Sequence, residues 1–203
     1  MPSPMVKATL ASVALSGASN FLSQVLEAYQ DERSFSFDVA MFLRFMTVTF
    51  IVTPPNYMWQ ELLECTFPTY EHRRPSAGSD NARDLERQTI ETALKAGVGP
   101  EPKPSLNLKN TFTKCFIDCI TLGALVNTVV FFVLMGLLKR QSVSVIGHNI
   151  CTETIPVIIA GYKIWPLASI IAYSCIPVER RMVFFNFVGL LWGIYMSLVA
   201  SAT

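Results

Sequence analysis

Charge is the scarcest ingredient of this chain. Asp, Glu, Lys and Arg make up 15% of its 203 residues, where an average soluble domain carries about 25%. The 16 basic and 15 acidic residues leave a net charge of +1. With no clustered basic face, a nucleic-acid partner is not expected. Histidine occurs twice, at His72 and His148. His148, Cys151 and Glu153 share one stretch, but a structural zinc needs about four ligands, so no metal site is expected. None of Cys65, Cys115, Cys119, Cys151 and Cys175 forms a CxxC pair. Cys115 and Cys119, four apart on one predicted helix, read as small polarizable packing residues. Nucleophile elbows, paired zinc histidines and phosphate-cradling loops are also missing. No enzymatic activity, catalytic residue or cofactor is therefore expected. The opening stretch has Lys7 but no compact apolar core before a small-residue cleavage site, and no arginine-rich leader. A removed signal peptide is not expected.

What the chain has instead is apolar length. It is 51% hydrophobic, with a mean hydropathy of +0.40, and a membrane-spanning helix needs about 20 mostly apolar residues. Cys119 to Leu138 is the clearest span, stopped by Lys139-Arg140 as cationic flanks stop a helix at an interface. Met182 to Ala200 is the next, and its Gly189 and Gly193 would admit a close second helix. Val39 to Leu63 reads as one kinked span, with Arg44 inside it and Pro54-Pro55 near its middle. Met5 to Tyr29 is the most polar. Ser12, Ser16, Ser19, Asn20, Ser23, Gln24 and Glu27 fall within roughly 140° of arc, a face that should meet other helices or water. Val143 to Gly161 mixes Val145, Ile146 and Ile150 with His148, Asn149 and Glu153. It is predicted to lie at the membrane surface and to turn at Pro156 into the next span. Tyr162 to Ile176 is too short to cross alone, so its span must begin upstream or continue past Pro177. The expected fold is all-α: a polytopic transmembrane bundle of four to six helices, one membrane domain over residues 1–203 interrupted by a hydrophilic loop. That loop, 69–109, is rich in charge, proline and glycine, with a short charged helix expected over Ser79 to Ala96.

If the first three spans alternate, Lys7 and the loop share a side, and the basic residues there make it the cytosolic or matrix face. Ionisable residues inside spans are functional candidates, which singles out Arg44 and Asp118. Each lies near the start of its helix, and consecutive antiparallel spans put those starts in opposite leaflets. Asp118 is thus expected to meet Lys114, Glu61, Glu64 or Arg180-Arg181, and Arg44 to meet Gln24, Glu27 or a lipid headgroup. Ser16, Asn20, Gln24, Arg44 and Asp118 are the candidate pore or polar-interior residues. Trp59, Trp165 and Trp192 fall toward span ends, where amphipathic rings settle among headgroups.

Several motifs together resemble one family. Trp165-Pro166, Pro177 followed by Arg180, and Trp192 with Tyr195 and Ser197 are similar to the C-terminal pattern of the Mpv17/PMP22 family of organelle membrane proteins. Asp38, Arg44, Pro54-Pro55, Trp59, Leu63 and Phe67-Pro68 resemble its second-helix pattern, and Lys114-x-x-x-Asp118 its Lys-x-x-x-Asp-Gln motif. The chain departs from that pattern at Cys119 and Ser169, where the family carries Gln, at Ala172-Tyr173, where it carries Asn-Phe, and at Ser19-Asn20, where it carries Gly-Asp, so several polar positions are smaller or uncharged here. The resemblance implies that Trp59, Trp165, Pro166, Pro177, Arg180 and Trp192 position helices. It also implies an integral protein of the peroxisomal or mitochondrial inner membrane, with the peroxisome preferred because no arginine-rich leader is visible. The implied activity is a nonselective channel for small solutes, or else a non-conducting scaffold or organelle-maintenance role. Its implied partners are the lipid bilayer, small solutes and further copies of itself.

Overall fold

The structure is a computed structural model and describes residues 2–71 and 105–201. Among these residues the chain is a bundle of helices: α1 (Pro4–Gln30), α2 (Val39–Thr66), α3 (Leu108–Ile120), α4 (Asn127–Leu138), α5 (Val143–Gly161), α6 (Trp165–Cys175) and α7 (Val178–Ser201). Two-residue strands β1 (Tyr70–Glu71) and β2 (Ser105–Leu106) pair antiparallel. They close the base of the segment predicted as a hydrophilic loop; the loop's interior, with the helix expected over Ser79 to Ala96, lies outside the described residues.

Local chemistry starts the helices. Ser3, Asp38, Asn107 and Ser142 each accept a hydrogen bond from a backbone N–H three residues on, which satisfies a donor that a helix start leaves free. α2 runs unbroken through Pro54 and Pro55, so Phe50 and Ile51 lose the N–H that would bond their carbonyls. α3 and α4 are one rod joined by a π-helical turn, Leu122–Val126, where the Val126 N–H bonds five residues back to the Thr121 carbonyl at 3.2 Å.

Contacts fix the directions. Ser16 faces Thr49 and Gln24 faces Asp38, so α1 and α2 are antiparallel. Trp59 meets Asp118 and Glu64 meets Lys114, which sets α3–α4 antiparallel to α2. α7 instead runs parallel to α1: Ala8 packs on Met182, Ser12 bonds Asn186 and Ser19 faces Gly193.

One expectation is corrected here. α5 does not turn at Pro156; it continues to Gly161 and packs lengthwise on α4, with Gly136 against Ile146. It is also long and apolar enough to cross a membrane. The chain breaks instead at Tyr162–Ile164, and α6 carries on along α3 in the same direction, bringing Tyr162 to Cys119 and Tyr173 to Thr69. The short Tyr162 to Ile176 stretch thus continues, after a break, the line that begins at Val143. Gly189 and Gly193 meet Trp165 of α6 and Ser19 of α1, so other helices do pack against them.

Candidate functional site

Polar side chains gather in two places inside the bundle. One is a charged cluster where α2, α3, α6 and α7 meet. Glu64 is its centre: its Oε2 lies 2.8 Å from Lys114 Nζ and 2.6 Å from Arg181 Nη2. Thr69 joins through its backbone N–H, 2.7 Å from Glu64 Oε1, and its hydroxyl, 2.9 Å from Oε2. Lys114 Nζ also donates to the Thr69 hydroxyl. Arg181 Nε donates to the carbonyls of Ala172, in the last turn of α6, and of Ile176, its C-cap. The Tyr173 ring lies under both cations, 5.4 Å from Lys114 Nζ and 5.0 Å from the Arg181 guanidinium carbon, within cation–π range. Lys114 and Tyr173 are fully buried, and Arg181 is 2% exposed.

Asp118, one turn after Lys114, is buried and turned to a separate set. Trp59 Nε1 donates to its Oδ1 at 2.9 Å, and nearby Gln60 Nε2 donates to the Tyr173 hydroxyl at 3.1 Å. Gly123 in the π-helical turn makes room: a Cβ there would stand 2.5 Å from Asp118 Oδ1.

The second place is the seam along α1. Ser12 accepts from Asn186 Nδ2 at 3.0 Å. Ser16 accepts from Thr49 Oγ1 at 2.8 Å and donates to the Phe45 carbonyl at 3.5 Å. Gln24 bonds Asn20 Oδ1 at 2.9 Å and brackets Asp38, accepting from its N–H at 2.7 Å and donating to its carbonyl at 3.1 Å. The polar face predicted from the spacing is thus an interior face.

The predicted residues therefore separate. Ser16, Asn20 and Gln24 lie in the seam, and Asp118 and Trp59 bond each other across α2 and α3. Arg44 joins neither group. It is half-buried and makes no ion pair among the described residues, because Gln24 is taken by Asn20 and Asp38 and Glu27 by Arg33. Trp165 stacks over Gly161 and meets Phe185 at 6.5 Å. Pro166 opens α6, and its carbonyl takes the Cys115 thiol at 3.8 Å. Pro177 holds Ile176 extended and so ends α6. Trp192 is half-buried on α7; the side chain of Tyr195 lies outside the described residues.

Arg180, which the resemblance singled out, is exposed; its neighbour Arg181 enters the cluster. The sequence reading missed Thr69, Tyr173 and Gln60 as cluster members. A partial signal was available, since Lys114 and Arg181 each interrupt an apolar stretch and need a counter-charge.

The Mpv17 / PMP22 family model matches residues 136–197, which hold the α4 end, α5, α6 and most of α7. The chain is 29% identical over 98 residues to PXMP2/4 family protein 3 of Dictyostelium discoideum, covering 47% of this chain and 52% of that protein. It is 23% identical over 101 residues to mitochondrial inner membrane protein Mpv17 of Drosophila melanogaster, covering 50% and 60%. It is 23% identical over 197 residues to peroxisomal membrane protein 2 of Bos taurus, covering 96% and 82%. The chain thus spans about half the length of the first curated relatives it matches and most of the bovine one. No solved structure matches it. These matches make the chain similar to the Mpv17/PMP22 family of organelle membrane proteins, and its helices Val39–Thr66, Leu108–Leu138 and Val143–Gly161 are long and apolar enough to cross a membrane.

Proposed function

We propose that this chain provides a route for small solutes along the polar seam between α1, α2 and α7. The observation that carries the reading is the ladder Thr9, Ser12, Ser16, Asn20 and Gln24, which gives α1 a polar side chain at nearly every turn. Association alone does not call for so many, since an interhelical hydrogen bond in a membrane contributes only about 0.6 kcal/mol on average. A water-filled path needs such a wall along its whole length. In the conformation described here the ladder is closed on itself and on Thr49, Asn186 and Asp38, so conduction requires α1 to part from α2 or α7.

One observation favours a second reading, a non-conducting assembly role: Ser12, Ser16, Asn20 and Gln24 already have partners inside the bundle. Purified full-length protein in a planar bilayer separates the two. A solute route predicts discrete conductance that falls when Asn20→Leu or Ser16→Val narrows the polar wall. A silent bilayer formed with folded protein sinks it and leaves the assembly role. For the compartment, the 96% coverage by peroxisomal membrane protein 2 of Bos taurus supports a peroxisomal location. Subcellular fractionation of the tagged chain against peroxisomal and mitochondrial markers tests it.

A further inference from the structure

The α2, α4 and α5 helices leave a cleft of about 190 Å³ between them, lined by none of the charged-cluster residues and touching the α1 seam only through the α2 backbone at Phe45 and Met41. Its walls are apolar, with Met41, Phe45, Phe131 and Phe132, and its polar lining is Lys139, Gln141 and Asn149. Phe45 and Phe131 face each other with ring centroids 6.0 Å apart. Carboxylates are absent from the lining, and Lys139 is in no ion pair among the described residues.

The backbone builds this arrangement. At the end of α4, Arg140 adopts a left-handed conformation with φ 55°, a position that helices usually give to glycine. The Gln141 N–H then bonds back to the Gly136 carbonyl at 2.9 Å, which turns the chain sharply over the cleft. Gly136 meanwhile brings α5 so close that an added Cβ would stand 2.5 Å from Ile146 Cγ1. The cleft therefore has a fixed shape, with a cation and two amides at an interfacial end and aromatic walls at bilayer depth.

We infer that this cleft binds an anionic phospholipid, the acyl chain lying along Met41, Phe45, Phe131 and Phe132 and the phosphate facing Lys139, Gln141 and Asn149. The argument is charge complementarity. A lysine and two amide donors without a carboxylate suit a phosphate, to which lysine binds as a point charge. The apolar walls require that the phosphate arrive on a chain. The site is independent of whether the α1 seam conducts.

Thermal unfolding of the purified full-length protein in detergent, titrated with a single added compound, tests the site. Phosphatidylglycerol should raise the melting temperature saturably, while phosphatidylcholine and inorganic phosphate should not. Lys139→Gln should weaken the phosphatidylglycerol effect about fivefold, as loss of one basic residue near a headgroup does. Lys109→Gln, an exposed lysine at the other end of the bundle, should leave it unchanged. Met41→Trp, which fills the cleft, should abolish the effect in protein that keeps its helical circular dichroism; if it misfolds, the Lys139→Gln and Lys109→Gln pair decides. An equal response to phosphatidylcholine, an equal response to inorganic phosphate, or equal losses in Lys139→Gln and Lys109→Gln would each overturn the proposal.

Discussion

At the residue scale, the central fact is that one carboxylate serves two buried cations. Glu64 retains 26% of its side-chain exposure, while Lys114 and Arg181 retain 0% and 3%. Removing one partner of a buried pair costs about 3–5 kcal/mol, because the remaining charge stays buried without compensation. Glu64→Gln should fall near the lower end, since the glutamate is partly hydrated. Its expected result is a clear drop in unfolding temperature in detergent, larger than that of Glu61→Gln on the exposed face of the same helix. Equal small losses would mean that the cluster contributes no more than a surface pair. The same cluster explains why Arg181 rather than Arg180 is the inward residue. Consecutive helical positions point about 100° apart, so of an arginine pair only one can face Glu64. The sequence contains the pair but not the rotation of α7 that chooses between its members.

At the element scale, close approach decides how α5 runs. The mixture of His148, Asn149, Thr152 and Glu153 with apolar residues reads as a surface helix, yet α5 packs along α4. Gly136 accounts for this, because only a residue without a side chain lets Ile146 sit so near the α4 backbone. Gly136→Val should force the two helices apart at a cost of about 1–3 kcal/mol, as overpacking does. The loss should appear as a lower unfolding temperature in detergent; an unchanged value would mean that this approach does not hold α5 in place. Gly147, one residue after Ile146, has open space at its Cβ position, so Gly147→Val serves as the control for helix propensity alone. The π-helical turn between α3 and α4 belongs to this scale too. It begins four residues after Asp118, and Gly123 within it leaves the carboxylate room to meet Trp59.

At the scale of the whole molecule, the directions of the rods determine which groups share a side. α1, α3–α4 and α7 run one way, while α2 and α5–α6 run the other. Lys7, Lys109 and Arg180 consequently lie toward one end, and Arg33, Lys139 and Arg140 toward the other. Two single-cysteine variants, Lys7→Cys and Ser36→Cys, would report this in a background where the five native cysteines are replaced by alanine. In sealed vesicles of uniform orientation, an impermeant maleimide should label only one of them until detergent is added. Labelling of both in sealed vesicles would contradict the arrangement.

Much of the architecture is local in origin and therefore legible in the residues themselves. Apolar length, scarce charge and cationic stops indicate a membrane bundle, because lipid rejects unpaired backbone and charge whatever the fold. The spacing of Ser12, Ser16, Asn20 and Gln24 likewise requires one polar face, since helix geometry alone puts them there. What that face meets is a different matter. Pairing Ser12 with Asn186 joins residues 174 positions apart, and periodicity says nothing about such a partner. The same holds for Glu64 choosing Lys114 and Arg181, for Asp118 choosing Trp59, and for α6 continuing the line of α5 after a break. Those choices depend on helix rotation, on crossing points and on where a glycine allows two backbones to approach. Such quantities exist only once the helices have packed, so the tertiary structure alone decided them.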